Sequence, residues 1–399
     1  MKKHISYLLA GVMAAALLGG CGGSSSGSAS SAESGAENAV ESTAAETGAE
    51  TKDAAQAETG DSSAEAGDNG ENAGEGAADE AEKSGSASED VAAGESVTVR
   101  VGSLKGPTSM GLVYLMEENE AGNAANTYEF SMVTAADELL PQVINKSLDI
   151  ALVPANVAST LYNKTEGQIS VIDINTLGVL YAVSADDSIG SIADLKGHTV
   201  YMTGKGTTPD YVFHYLLDAN GMSDSDLTLE YKSEAAEVAA LLKENPDAVG
   251  VLPQPFVTVA CTQNENLRIR LDLTKEWDTL QTDSGSQLVT GVTVVRNEFL
   301  DQHPEAVETF LKEHAASTNY VNENLEEGAE LVAKTGIIEK APIAQKAIPY
   351  CNITCITGSE MKAALSGYLQ VLYDQDPASV GGALPEDGFY YLSSGEASE

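Results

Sequence analysis

Four short segments carry polar and glycine residues of the kind that contact small ligands. Glycine lets a backbone approach a ligand closely, and a helix that begins after such a segment offers free N–H groups and a partial positive charge. Two lysines within these segments favour a carboxylate, a sulfonate or a similar anion. The segments are Lys105-Gly-Pro-Thr-Ser109, Thr134-Ala-Ala-Asp137, Pro154-Ala-Asn156 and Gly204-Lys-Gly-Thr-Thr-Pro-Asp210, with Gln254 near the last of them.

From these segments and their neighbours we predict one ligand-binding set. Asn156 and Gln254 are its strongest members, because a buried amide must satisfy several hydrogen-bonding groups. Tyr181, Tyr211 and Phe256 would stack on a flat ligand, although aromatic side chains near strand ends more often belong to the core. The predicted set consists of Lys105, Ser109, Thr134, Asn156, Tyr181, Thr207, Thr208 and Gln254.

The segment around Thr208 also has a purely structural interpretation. Thr207 with Asp210 fits a capping box, and Thr208 before Pro209 fits an N-cap with proline at the first helical position. Gly204-Lys-Gly206 does not match a phosphate-binding loop, which needs Gly-Lys-Ser/Thr after a longer glycine spacing. Helix capping and ligand contact therefore remain alternative roles for the two threonines.

Residues suited to metal or nucleophilic chemistry are sparse in the sequence. The histidines beyond the N-terminus are scattered singly, and no HExxH, CxxC, EF-hand or nucleophile-elbow pattern occurs. We therefore predict no metal, no cofactor and no enzymatic activity. Besides Cys21 the cysteines are three, which excludes a closed disulfide framework. We interpret Cys351 and Cys355 as small semi-buried thiols, with a redox or metal pair as the alternative.

The elements that must position the polar segments alternate between strand and helix from residue 97 onward. Such alternation indicates parallel strands covered by helices. A helix-and-strand unit over residues 138–156 reappears over residues 234–254, each with an acidic helix start, a buried strand, a proline and an amide. We interpret the two units as a structural repeat, although any two such units share general features.

The N-terminus has the layout of a secretory signal. Lys2, Lys3 and His4 precede an apolar run over residues 5–18, which is too short to span a bilayer. The run ends at Leu18-Gly19-Gly20-Cys21, which resembles a bacterial lipobox and implies cleavage before Cys21 and lipid attachment to it. We predict a signal peptide over residues 1–20.

Residues 21–95 read as a disordered acidic tether that begins at the lipidated cysteine. From residue 22 they contain no Phe, Tyr, Trp, Leu, Ile or Met. They contain 18 acidic residues and only two lysines. Such a segment cannot bury enough apolar surface to offset its ordering entropy. The formal net charge of the whole chain is −40, which disfavours nucleic acid and anionic lipid surfaces as partners.

The order and spacing of several stretches resemble the substrate-binding proteins of nitrate, sulfonate, taurine and thiamine-precursor ABC importers. The stretches are Leu148-Asp-Ile-Ala-Leu-Val-Pro-Ala-Asn156, Ser191-Ile-Ala-Asp-Leu-Lys-Gly197, residues 297–311 and residues 367–385. The resemblance implies an α/β, two-lobed type II periplasmic-binding-protein fold, in which each lobe is a mostly parallel sheet flanked by helices and two hinge strands join the lobes. Lobe 1 would comprise residues 96–180 plus 289–392, and lobe 2 residues 181–288.

The same resemblance implies a monomeric lipoprotein, anchored on the extracytoplasmic face of the cell membrane of a Gram-positive-type bacterium. Its partners would be a small-molecule ligand in the interlobe cleft, an ABC permease and a cytoplasmic ATPase, without nucleic acid. Two alternatives are a sensor or adhesion lipoprotein that kept the lobes, and an enzyme, since related folds include a pyrimidine-synthesis enzyme.

Overall fold

The computed structural model describes residues 97–281 and 285–393, and it contains two β-sheets flanked by helices. The strands are β1 (Thr98–Leu104), β2 (Thr127–Val133), β3 (Ile150–Pro154), β4 (Ile169–Leu177), β5 (Leu180–Ser184), β6 (Thr199–Thr203), β7 (Thr228–Lys232), β8 (Val249–Pro253), β9 (Arg268–Asp272), β10 (Val289–Arg296) and β11 (Ile353–Ile356). The predicted signal peptide, Cys21 and the acidic tether lie outside the described residues.

Helices of very different length connect these strands. They are α1 (Pro107–Met110), α2 (Val113–Glu120), α3 (Ala136–Ile144), α4 (Ala155–Lys164), α5 (Thr208–Ala219), α6 (Ala235–Glu244), α7 (Phe256–Gln263), α8 (Leu273–Leu280), α9 (Asn297–Gln302), α10 (Pro304–Glu323), α11 (Leu325–Lys334), α12 (Ala341–Ala347) and α13 (Gly358–Gln375). Short 3-10 helices cover Ile192–Leu195, Asp224–Asp226, Ile348–Tyr350, Pro377–Val380 and Asp387–Phe389. None of the helices in the described ranges combines the length and the apolar character needed to cross a membrane.

The two sheets share one arrangement of five strands. Sheet 1 has the order β11-β4-β10-β3-β1-β2, and sheet 2 has the order β9-β5-β8-β6-β7 when it is read from the corresponding side. Counted from β2 in sheet 1 and from β7 in sheet 2, three parallel strands come first. One antiparallel strand comes next, and the fifth strand again runs in the direction of the first three. The structural repeat predicted from residues 138–156 and 234–254 is therefore confirmed.

The predicted α/β class with two helix-flanked sheets is confirmed, and both sheets are mixed. Their central strands are almost continuously buried and rich in Val, Ile and Leu, as expected for strands covered on both faces. Sheet 1 takes its strands from residues 98–177 and 289–356, and sheet 2 takes its strands from residues 180–272. The exact lobe boundaries at residues 180 and 289 remain a prediction.

The chain passes directly from sheet 1 to sheet 2 between the last residue of β4 and the first residue of β5. Leu177 pairs with Val289, where β10 begins, and Leu180 pairs with Pro253, where β8 ends. The return from sheet 2 to sheet 1 runs through α8 and the segment before β10. Because β4 ends and β8 ends at this crossover, the carboxyl-terminal edges of the parallel strands in both sheets meet there.

Gly178 lies at the crossover in a tightly packed position. A Cβ atom on Gly178 would lie 2.1 Å from Oγ1 of Thr274 and 2.2 Å from Cδ2 of Leu288. The carbonyl oxygen of Gly178 accepts a hydrogen bond from Nδ2 of Asn352 at 2.6 Å. The outward and return connections and the segment before β11 therefore pack against each other at one residue without a side chain.

Replacing Gly178 with alanine is expected to lower the free energy of unfolding by about 1–3 kcal/mol, because the added methyl group overpacks this position. Urea denaturation followed by circular dichroism would measure the change. Gly190→Ala is a matched control, since the nearest atom to a Cβ there is Oδ2 of Asp194 at 3.9 Å. Equal stability of the two variants would contradict the packing described at the crossover.

One hydrophobic core continues from sheet 1 to sheet 2 through α5, α8 and α13. Trp277 of α8 is fully buried between two tyrosines. Its ring centroid lies 4.7 Å from that of Tyr215 on α5 and 5.6 Å from that of Tyr368 on α13. Since α5 follows a strand of sheet 2 and α13 packs on β4 and β10 of sheet 1, Trp277 joins the two halves of the fold.

Candidate functional site

The segments predicted to bind a ligand follow strands whose carboxyl ends lie at the crossover side of the sheets. Lys105 follows β1, Thr134 follows β2, Asn156 follows β3, and Gln254 follows β8. The glycine-rich loop before α5 follows β6. Ligands of open α/β sheets bind outside the carboxyl ends of the strands, so this placement is the one that a ligand site requires.

Lys105, Ser109 and Thr134 form the first of three groups of predicted residues. The backbone N–H of Lys105 donates to the carbonyl oxygen of Val133 at 2.8 Å, while its side chain is exposed. Ser109 is fully buried, and its Oγ donates to the carbonyl oxygen of Leu104 at 2.5 Å. Thr134 is exposed. The side chains of Lys105 and Thr134 thus reach solvent, although Oγ1 of Thr134 also donates to Oε1 of Glu138 at 3.3 Å. The hydroxyl of Ser109 is used within the fold.

Asn156 and the two threonines at the start of α5 form the second group. Nδ2 of Asn156 donates to the carbonyl oxygen of Ser379 at 3.3 Å. Oη of Tyr211 on α5 donates to Oδ2 of Asp376 at 3.0 Å. Because Asp376 and Ser379 are three residues apart, a single segment after α13 contacts both α4, which follows a strand of sheet 1, and α5, which follows a strand of sheet 2.

The N-terminus of α5 corrects one prediction. The N-cap is Thr207, whose backbone is extended at φ −128° and ψ 179°, and Thr208 is the first helical residue. Pro209 consequently occupies the second helical position, where its missing N–H costs nothing because first-turn N–H groups have no partner within a helix. The side chain of Thr207 donates to the carbonyl oxygen of Gly204 at 2.5 Å and does not cap the helix.

The predicted capping box of Thr207 with Asp210 is also wrong. Asp210 accepts hydrogen bonds from the backbone N–H of Gly206 at 2.7 Å and from Oη of Tyr231 at 2.5 Å. Burial and the hydrogen bond to Asp210 raise the pKa of Tyr231, so the phenol keeps its proton. Nζ of Lys205 lies 5.1 Å from the centroid of the Tyr231 ring. Asp210 and Tyr231 therefore hold the loop, and they hold its lysine in a cation–π contact.

Gln254 and Tyr181 form the third group. Both are buried, and Oη of Tyr181 donates to the carbonyl oxygen of Tyr350 at 2.8 Å. Oε1 of Gln254 accepts from Oγ1 of Thr258 at 2.8 Å, but its Nε2 has no hydrogen-bond partner among the described residues. A buried donor without an acceptor costs about 1–3 kcal/mol, so an acceptor brought by a ligand would be stabilised here.

A groove of about 770 Å³ lies beside the third group, between α7 and β9 on one side and residues 345–350 on the other. Thr258, which hydrogen-bonds to Gln254, lines this groove together with Lys346 and Tyr350. The Tyr350 side chain is 45% exposed, and Phe256 at the start of α7 is 47% exposed. The exposed Tyr350 ring and Lys346 in one groove suit a ligand that has a flat part and an anionic part.

Sequence reasoning missed the residues that join the groups. Thr258, Tyr350 and Asp376 lie far along the chain from the segments they contact, and nothing in their spacing marks them. Phe256 was considered only as a stacking residue. An exposed aromatic residue after a proline, as in Pro349-Tyr350, was the one available signal, and it is common in loops without any function.

Residues 166–327 match the protein-family model described as NMT1/THI5 like. A curated Brucella abortus (strain 2308) protein described as a binding protein is 23% identical over 187 residues, which are 47% of this chain and 56% of that protein. The chain thus spans about half the length of the curated relatives it matches.

Solved structures extend the likeness over the described residues. An ABC transporter from Parabacteroides distasonis is 25% identical with a TM-score of 0.63, covering 74% of this chain and 99% of that chain. The periplasmic aliphatic sulphonate binding protein SsuA from Escherichia coli is 16% identical with a TM-score of 0.58, covering 74% of this chain and 92% of that chain, and it shows a shared fold. Both neighbours are described as transport or binding proteins. The predicted resemblance is confirmed: residues 166–327 are similar to the NMT1/THI5-like family, and the described residues share the fold of ABC transporter binding proteins.

Proposed function

We propose that the protein is the substrate-binding component of an ABC importer and that it captures a small solute between its two sheets. The observation that carries the proposal is the crossover at residues 177–180, where the carboxyl-terminal edges of both sheets meet. A ligand at that place would contact loops of both lobes, and two lobes joined by short connections close around a ligand by hinge motion. The Parabacteroides ABC transporter, matched over 99% of its chain, supports this function.

The proposed cellular setting follows from the N-terminal sequence. Lipid on Cys21 would anchor the protein to the extracytoplasmic face of the cell membrane, and residues 22–95 would let the binding domain reach a permease. A cytoplasmic ATPase would drive that permease. At about 5–6 Å × √n, a flexible tether of this length spans roughly 50 Å, which suits a protein that delivers its cargo at the membrane surface.

The proposed solute is a sulfonate- or nitrate-like anion or a thiamine-type heterocycle. Nε2 of Gln254 is a buried donor that lacks an acceptor among the described residues, and Lys105 and Lys205 lie in loops at the same sheet edges. Tyr350 and Phe256 add exposed rings. Sulfonate, nitrate and thiamine-type compounds fit this combination of donors, cations and aromatic surface.

A panel of candidate solutes, tested by thermal shift on the purified protein, would test the proposed function. The panel covers sulfonates, nitrate, bicarbonate, thiamine precursors, riboflavin, nucleobases and amino acids. A ligand at 100 times its Kd stabilises the folded state by about 2.7 kcal/mol, which raises the Tm by several degrees. A response to one chemical class would support the receptor role. A silent panel, with no solute co-purified by native mass spectrometry, would contradict it.

Replacing Asn156 or Gln254 with alanine is expected to weaken binding of that solute by about tenfold, since each variant loses hydrogen bonds to it. Calorimetric titration would measure the affinities, with Thr208→Ala as a third site variant. Gln302→Ala is the control, because Gln302 is an exposed amide at the end of α9. Unchanged affinity in all three folded site variants would exclude this site.

A further inference from the structure

Three side chains from distant parts of the chain converge within sheet 1 and its covering helix. Asp173 lies on β4, His314 on α10 and Cys355 on β11, and one potential metal-ligating atom of each lies within 4.8 Å of the others. Nδ1 of His314 lies 3.1 Å from Oδ2 of Asp173, and both side chains are fully buried. The cluster lies within sheet 1 and is separate from the three groups of the proposed solute site.

Irregular strand pairing surrounds this cluster. The register between β4 and β10 shifts next to the pair of Asp173 with Thr293, and the register between β4 and β11 shifts between Ile353 and Ile356, the interval that contains Cys355. Such bulges re-aim side chains and are frequent beside functional sites. Two bulges on neighbouring strand pairs thus direct Asp173 and Cys355 towards the same helix.

The electrostatics of the cluster favour a cation. Oδ1 of Asp173 accepts a hydrogen bond from Oγ1 of Thr293 at 2.7 Å, and Oδ2 faces His314. Within residues 97–281 and 285–393, no lysine or arginine forms an ion pair with Asp173. The one potential ion-pair partner of Asp173 among the described residues is His314. A divalent ion bound between the two side chains would supply the positive charge that a fully buried carboxylate needs.

The geometry also suits a small tetrahedral ion. Two ligands at about 2.0 Å from a tetrahedral zinc ion are roughly 3.3 Å apart, close to the separation of the His314 and Asp173 atoms. Nitrogen, oxygen and sulfur are the three ligand types of zinc sites. Cys355 lines a groove of about 360 Å³ that also contains Glu308 and Lys312, so an ion and a water molecule have a route to the cluster.

We propose that Asp173, His314 and Cys355 bind a zinc-type divalent ion, with water from the groove as the fourth ligand. The ion would tie β4, α10 and β11 together and stabilise sheet 1. Burial and the nearby Asp173 raise the pKa of the Cys355 thiol, so without an ion the thiol stays protonated. On binding, the thiol proton leaves to solvent and the thiolate becomes a ligand.

Cobalt titration of chelator-treated, purified protein tests the site. One equivalent of Co²⁺ is expected to produce a thiolate-to-cobalt charge-transfer band in the near ultraviolet together with intense visible bands of tetrahedral cobalt. Cys355→Ser should lose the charge-transfer band, whereas Cys261→Ser should keep it, since Cys261 lies on α7 outside the cluster. The absence of the band in the unmodified protein, or its persistence in Cys355→Ser, would overturn the proposal.

A second measurement needs no variant and therefore does not depend on how the variants fold. The Tm of the chelator-treated, unmodified protein is measured with and without one equivalent of Zn²⁺. Zn²⁺ is expected to raise the Tm by several degrees, because an ion that binds only the folded state and joins β4, α10 and β11 stabilises it. Equal Tm values in both conditions would contradict metal binding.

Discussion

Replacing Asp149 with alanine is expected to lower the free energy of unfolding by about 3–5 kcal/mol, because it removes the buried carboxylate that pairs with two arginines, one of them largely buried. Asp149 is 2% exposed and lies where β3 begins. Its Oδ1 accepts from Arg100 at 2.6 Å and from Arg296 at 2.7 Å. Its Oδ2 accepts from the backbone N–H of Arg100 at 3.0 Å and from Nε of Arg100 at 2.8 Å. The carboxylate therefore connects β1 with β10 on either side of β3.

Chemical denaturation of the purified protein would measure the effect of Asp149→Ala. Asp387→Ala is the control, because the ion pair of Asp387 with Lys362 joins side chains that are 92% and 35% exposed. Exposed pairs contribute at most about 1 kcal/mol. A loss in Asp149→Ala no larger than in Asp387→Ala would show that the buried pairing does not stabilise sheet 1.

The same carboxylate predicts a pH dependence. Burial alone would raise the pKa of Asp149, but the hydrogen bonds from Arg100 and Arg296 outweigh it and hold the pKa below its ordinary value. A group with a lowered pKa contributes stability that is complete above its unfolded pKa, about 4, and is lost as the pH falls through the folded value. The stability difference between the unmodified protein and Asp149→Asn should therefore shrink below about pH 4 and stay constant between pH 6 and pH 8.

Replacing Trp277 with alanine is expected to cost about 3–5 kcal/mol, the range found when a buried aromatic side chain is removed from a core. The cavity would open between Tyr215 of α5 and Tyr368 of α13, so the variant should loosen the contact between the two halves of the fold. Far-ultraviolet circular dichroism during urea denaturation is the appropriate probe, because Trp277 is the single tryptophan of the chain and its fluorescence is lost in the variant.

Two controls separate packing from helix propensity. Leu280→Ala changes the same helix at a position that is 37% exposed, and it should cost far less. Trp277→Phe keeps an aromatic ring and should recover part of the loss. If Trp277→Ala and Leu280→Ala prove equally stable, the aromatic cluster does not hold α5 and α13 together.

Much of the fold was predictable because its signals are local. Short apolar runs after polar helix starts predicted the strands around Ile150 and Val249. Each of these strands ends at a proline, as expected. Strand pairing was less accessible: β10 lies between β3 and β4, and β5 lies between β8 and β9. Those placements depend on where the chain crosses between the sheets, which no local pattern records.

The two candidate sites also differ in how far local sequence signals mark their residues. The placement of Lys105, Asn156 and Gln254 near strand ends that face the crossover could be predicted, because each lies just after a recognisable strand. Their contact with a ligand stays a prediction. Ser109 was predicted by the same rule, yet its hydroxyl has an internal partner, a difference that only burial reveals. Asp173, His314 and Cys355 have no informative spacing, and the expectation of no metal rested on the absence of short motifs.

The position of β10 has a consequence for how the chain assembles. Sheet 2 is contiguous in sequence, but β3 and β4 of sheet 1 are joined only when residues 289–296 return after an excursion of more than a hundred residues. Until then β3 has one unpaired edge and β4 has two, and open strand edges recruit other strands. Chain closure over such a separation is slow relative to local pairing. We expect nascent chains that stop before residue 289 to aggregate through these edges, so the order of synthesis places the vulnerable interval in the middle of translation.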